Sequence, residues 1–170
     1  MIVSNETIVK ELFQVKRPVD RSIGAFDLET FLPYRLSVTT NRVSRAFAAQ
    51  YEQEFGISIP EWRAIAVLGA FAPLSSNQIC ERTAMDKAKV SRAVATLLKR
   101  GLIEREAHET DQRLIQLTLS KAGRKIYEAI IPRARAIEAE VTKGLSKADI
   151  AQLHRMLDRV AKRLDEIESG

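Results

Sequence analysis

With a single cysteine, Cys80, this 170-residue chain has no intrachain disulfide and no cysteine-based metal cluster. Its only histidines, His108 and His154, lie far apart in the sequence without ligand spacing, so no metal site is expected. No apolar run approaches the roughly 18 residues that a membrane span needs, and the N-terminus lacks the charged-then-apolar pattern of a secretory signal. The expected location is the cytoplasm, without membrane contact. There is also no phosphate-cradling glycine loop, no H-E-x-x-H, no nucleophile elbow and no cysteine–histidine pair at a readable spacing. Neither catalysis nor a cofactor is expected. Cys80 itself, beside Ile79 in a short helical stretch, reads as an inert, partly buried thiol in preference to a redox sensor.

What is present is a composition that folds. Apolar residues make up 45% and charged residues 29%, which disfavours disorder, and the length suits one domain with an oligomerisation extension. The formal charge is +5, which favours an anionic partner, either nucleic acid or an acidic surface. Its location says more than its size. Residues 75 to 124 hold ten Lys/Arg against six Asp/Glu, so +4 of the +5 is concentrated there.

That region centres on Asp86 to Leu102, DKAKVSRAVATLLKRGL, which reads as a helix with two unlike faces. At 100° per residue, Val90, Val94, Leu97 and Leu98 fall on one stripe, and Lys89, Arg92, Thr96, Lys99 and Arg100 on roughly the opposite one. Asp86 suits an N-cap and Gly101 a left-handed C-terminal stop. A charged stripe alone is most often a solvated face, but its neighbours change the balance. A shorter helix over Ser75–Ala84 precedes it after a tight turn, and an alternating stretch from Ile103 to Ser120 follows as a hairpin. Helix, turn, basic helix and hairpin is the layout of a winged helix-turn-helix, whose second helix enters the major groove.

The expected contacts follow from this layout. Lys87, Lys89, Ser91 and Arg92 would enter the groove near the helix N-terminus, with Arg92 placed for a bidentate guanine contact and Thr96 on the same exposed face. Lys99 and Arg100, nearer the C-terminal end, are expected to touch phosphate or solvent. Ser75, Ser76 and Asn77 would donate to phosphate from the start of the supporting helix. In the hairpin turn, Asp111 would hold Arg113 while its guanidinium faces phosphates or a narrow minor groove, the alternative being a solvated tip.

On the N-terminal side, residues 1 to 26 read as an extension, with Arg17-Pro18 biasing the chain away from helix. A long helix is predicted from about Asp27 to Phe55, with Pro33 in its first turn or at a local break, and Gly56 ends it. Ser58-x-x-Glu61, Ser75-x-x-Gln78 and Ser146-x-x-Asp149 are capping boxes or near versions of them, marking three helix starts. Trp62, in the first of those helices, is read as a core residue in preference to a ligand contact. In the returning strand Ile115, Leu117 and Leu119 share one face. Ser120 caps a helix to about Lys143, with Pro132 expected to kink it. The last helix repeats Ile150, Leu153, Leu157, Val160 and Leu164 at heptad spacing, a seam that needs a partner helix.

Over about residues 27 to 168 the sequence resembles the MarR family of bacterial winged helix-turn-helix regulators. The resemblance is carried by MDKAKVSRAVATLLKRGLIER, by the D-x-R of Asp111 and Arg113, and by the junction LTLSKAG from Leu117 to Gly123. It implies a mainly α fold with a small β-hairpin wing, and an obligate homodimer with interlocked N- and C-terminal helices. It further implies a repressor on a pseudo-palindromic site of double-stranded DNA, released by a small ligand of the aromatic or phenolic acid class. The organisation expected is an extension over 1–26, a helical dimerisation region over 27–56 and 120–168, and a winged DNA-binding domain over 57–119. The N-terminal cysteine of the family's peroxide-sensing branch has no counterpart. Two alternatives stand beside this reading: a helical interaction protein whose basic helix docks on an acidic partner, and a ligand-independent architectural DNA binder.

Overall fold

A computed structural model describes residues 26–107 and 115–170. The expected extension over 1–25 and the hairpin turn with His108, Asp111 and Arg113 lie outside the described residues. Those described fall into two units divided between Val38 and Thr39.

In the first unit the helix begins later than predicted. The Asp27 carboxylate accepts from the Glu29 amide (3.1 Å) and the Thr30 hydroxyl (3.0 Å), closing a turn of its own. Asp27 therefore stabilises a separate turn, and helix α1 runs Leu32–Phe55 with Pro33 in its first turn, where a missing N–H costs nothing. Phe26 and Phe31 meet edge to face across that turn, 4.7 Å between centroids.

In the second unit, α1 ends at a left-handed Gly56 (φ +60°), and α2 (Ile59–Phe71), α3 (Ser76–Thr83) and α4 (Lys87–Lys99) follow. The capping boxes fix starts as predicted: the Ser58 amide donates to Glu61 Oε2 (2.8 Å) and the Ser75 amide to Gln78 Oε1 (2.8 Å). Strands β1 (Ile103–Ala107) and β2 (Ile115–Leu119) pair antiparallel in the register Ile103 to Leu119. Leu74, between α2 and α3, adds a further rung: its amide donates to the Leu117 carbonyl (3.1 Å) and its carbonyl accepts from the Leu117 amide (2.8 Å). Helix α5 spans Lys121–Val141 and α6 Lys147–Glu168, the latter opened by Ser146 and Asp149.

The core lies where α2, α3, α4 and the hairpin converge, with Ile65, Leu68, Ile79, Leu97, Ile103 and Leu117 essentially inaccessible to solvent. Fully burying each such side chain is worth about 1.5–3 kcal/mol, so this cluster defines the cooperative unit. Ile115 shares a face of β2 with Leu117 and Leu119 but is 55% exposed, whereas Leu117 is buried. Helix α5 continues through Pro132 as one element, and Arg133 Nη1 donates to the Ala129 carbonyl one turn back. Among the described residues no helix is long and apolar enough to cross a membrane.

Candidate nucleic-acid interface

Helix α4 forms where it does because Asp86 caps it: its Oδ1 accepts from the Lys89 amide at 2.7 Å. The carboxyl is held below its usual range, first by that amide and next by the Lys89 side chain. At the other end Gly101, at φ +65°, lets the Gly101 and Leu102 amides reach back to Leu98 and Leu97 carbonyls at 2.9 Å, closing the helix in a Schellman arrangement. Between these stops, Val90, Ala93, Val94 and Leu97 are buried, Leu98 is half-buried, and Lys87, Lys89, Ser91, Arg92, Thr96 and Lys99 are exposed. The division into two faces is as the periodicity predicts.

The exposed side chains are not equivalent. Lys89 Nζ pairs with Asp86 Oδ2 at 3.0 Å, so part of its charge is met within the protein. The Thr96 hydroxyl donates to the Arg92 carbonyl (3.0 Å), so its proton is engaged while its lone pairs stay available as acceptors. Lys87 and Arg92 form no hydrogen bond or salt bridge among the described residues. A crevice of about 350 Å³ opens between α3, α4 and β1, and Ser76, Asn77, Lys87, Ser91 and Arg105 converge on it. Arg105 was missed by sequence reasoning; a cation two residues after Ile103, on the same face of β1 as that buried side chain, was the available signal. Cys80, half-buried, also lines this crevice.

One assignment changes, that of Arg100. The Ser75 hydroxyl caps α3 by accepting from the Gln78 amide (3.3 Å), which leaves its own O–H to donate, and Ser76 and Asn77 are exposed. Arg100, expected at phosphate or solvent, turns inward: Nη1 donates to the Gly56 carbonyl (2.8 Å) and Nη2 to the Phe55 carbonyl (2.7 Å). Its place on the polar stripe hid this, because the acceptors come from 44 and 45 residues away.

A basic reading face over a helix-turn-helix, followed directly by a hairpin, is the geometry of a winged DNA-binding domain. The family model described as MarR family matches residues 55–114, the stretch from the end of α1 to β2. A MarR/EmrR family transcriptional regulator from Acinetobacter sp. ADP1 superposes with a TM-score of 0.74 at 28% identity, covering 79% of this chain and 94% of that one. The chain belongs to the MarR family.

It is thus a winged-helix transcriptional regulator. A MarR family regulator from Listeria monocytogenes, solved with 26-mer DNA, shares the fold at a TM-score of 0.74 and 18% identity, covering 80% of this chain and 90% of that one. Bordetella bronchiseptica BpsR, whose DNA binding is regulated by 6-hydroxynicotinic acid, shares it at 0.71 and 20%, covering 81% and 98%.

Away from the reading head, Trp62 is half-buried between two tyrosines, with ring centroids 5.7 Å from Tyr51 and 6.3 Å from Tyr127. Arg63 Nη2 donates to the Ser44 hydroxyl at 3.2 Å beside it. Val43, Phe47, Tyr51, Trp62 and Arg63 line a hollow of about 200 Å³. Burial pushes the Tyr51 phenol up to about 12, with Glu52 adding to the shift and Arg63 opposing it. Trp62 therefore both packs and presents a ring edge to an aromatic-lined recess, where the sequence favoured packing alone.

Along α6, Leu153, Leu157 and Leu164 are 46%, 43% and 53% exposed, while Ile150 and Val160 are half-buried. The heptad seam is present, and its leucines stay exposed among the described residues.

Proposed function

We propose that this MarR family member acts as a homodimeric, small-molecule-responsive repressor on a pseudo-palindromic operator. The observation that carries the reading is the exposed row Lys87, Ser91 and Arg92 in the first half of α4, behind its Asp86 cap. Lys87 and Arg92 read base edges in the major groove, Lys89 shares its charge between Asp86 and the phosphates, and Thr96 offers its methyl to the groove wall. Ser76 and Asn77 meet the backbone beside the start of α3, with Ser75 holding that start in shape. Asp111 and Arg113 work from the hairpin turn.

The dimer is supported by the uncovered α6 seam, Ile150 to Leu164, which requires an apolar partner to leave water. Two copies then present their reading helices about 34 Å apart, one turn of duplex. The domain boundaries follow: a helical dimerisation region over 27–56 and 120–168, a reading domain over 57–119 and an extension over 1–26.

Control by an aromatic or phenolic acid is supported by the hollow that Arg63 lines together with the Tyr51 and Trp62 rings. Ligand there favours a half-site spacing that does not fit successive grooves. The test is selection of bound fragments from random duplexes across a salt series, with sedimentation of the free protein and its DNA complex. Recovery of an inverted repeat, steep salt dependence and a 2:1 complex support the reading; uniform weak binding by a monomer overturns it.

A further inference from the structure

We propose that Arg100 is a positioning residue, which sets the angle of the reading helix against the end of α1 and does not itself touch DNA. The inference rests on α4 being the helix that reads DNA. Arg100 is the C-cap of α4, and its guanidinium reaches the Phe55 and Gly56 carbonyls at 2.7 and 2.8 Å. These are the last acceptors of α1, which have no partner within their own helix, and a cation there meets the negative end of the helix dipole. Glu61 stands on the third side. Its carboxylate is 9% exposed, accepts from the Ser58 amide at 2.8 Å, and its Oε2 lies 3.9 Å from Arg100 Nη1. One guanidinium thus joins the end of α1, the start of α2 and the end of α4.

The packing partners of α4 are α2, α3 and β1, so this fork is its polar tie to α1. The same point roots the wing. Immediately after Arg100, the Gly101 carbonyl accepts from the Ser120 hydroxyl (2.7 Å) and the Leu102 carbonyl from the Ser120 amide (3.1 Å). A shift of the Arg100 fork therefore tilts both reading elements together. A lysine offers one point charge where arginine offers a planar fork, so only arginine bonds both carbonyls with fixed geometry.

The test compares wild type, Arg100→Gln, Arg100→Lys and Glu61→Gln, each as the full chain, on a selected operator and on a scrambled duplex across a salt series. Arg100→Gln is expected to lower operator affinity about tenfold, a typical coupling between sites, while leaving scrambled-duplex affinity and the salt slope unchanged. Arg100→Lys recovers part of the loss, and Glu61→Gln moves in the same direction as Arg100→Gln. Without DNA, hydrogen exchange in Arg100→Gln quickens at both 52–57 and 98–102. A salt slope lowered by about one, with both duplexes weakened alike, would make Arg100 a phosphate contact and overturn the proposal. Unchanged selectivity and exchange in all three variants would overturn it too, and Arg100→Lys and Glu61→Gln keep the test open where Arg100→Gln does not fold. A wild-type protein that selects no sequence fails at the first arm, removing the DNA reading and this inference together.

Discussion

Asp86 and Lys89 are joined twice, by the Lys89 amide on Oδ1 at 2.7 Å and by its ammonium beside Oδ2 at 3.0 Å. The residue that starts the reading helix also restrains one of its cations. Asp86→Ala is expected to lower the melting temperature and to fray the first turn, slowing operator association while releasing the Lys89 charge. Because the Asp86 carboxyl is held below its unfolded value, its contribution is present above that value and is lost as pH falls through the folded one. Thermal melts at descending acid pH should therefore converge for wild type and Asp86→Ala; parallel curves would show that the cap contributes nothing.

Arg92 and Lys99 are both on the exposed side of α4, Arg92 in its middle and Lys99 at its last residue. Arg92→Ala should cost about 1–3 kcal/mol and relax preference at one base pair, whereas Lys99→Ala should weaken all sequences alike and lower the salt slope by about one. Gel shifts on operator variants separate the two; an Arg92→Ala protein with intact affinity and preference would misplace the reading face.

Tyr51 predicts an alkaline transition. With its phenol raised from about 10 to about 12 by burial, the neutral form's contribution is complete below the unfolded value and is lost as pH rises through the folded one. Stability should fall across that window, and Tyr51→Phe should flatten the fall. Tyrosinate absorbance at 295 nm (the usual wavelength, about) titrating at the ordinary value for all three tyrosines would count against it.

Leu157→Arg places a charge in the α6 seam. It should yield monomers with little operator affinity, since an unpaired charge buried between helices costs several kcal/mol. Sedimentation of a tight dimer by this variant would refute that interface.

Gly123→Ala tests the root of the wing. A Cβ there would stand 1.9 Å from the Leu102 carbonyl oxygen, and backbone on both sides leaves little room to relax. A loss on the order of 1–3 kcal/mol is expected in denaturant unfolding, the usual scale of overpacking. An unchanged midpoint would mean that α5 moves away at no cost.

Local chemistry made much of this fold legible. Capping boxes at Ser58, Ser75 and Ser146, the Asp86 cap and glycine stops at 56 and 101 act within a few residues, so their pattern alone locates helix ends. The two faces of α4 were legible for the same reason. What escaped depends on distance along the chain. Arg100 looked like a surface cation because its acceptors belong to α1, and the alternation that groups Ile115 with Leu117 cannot say how far along the strand burial extends. The helix expected from about Asp27 starts at Leu32, because the Asp27 carboxylate closes an earlier turn.

The rung between Leu74 and Leu117 is made wholly of backbone groups, 3.1 and 2.8 Å long. Side-chain replacement at these positions changes packing without removing the bonds themselves. The hairpin's root is thereby anchored by main chain, so that whatever side chains stand at 74 and 117, the strand that leads into the wing keeps its seat beside the end of α2.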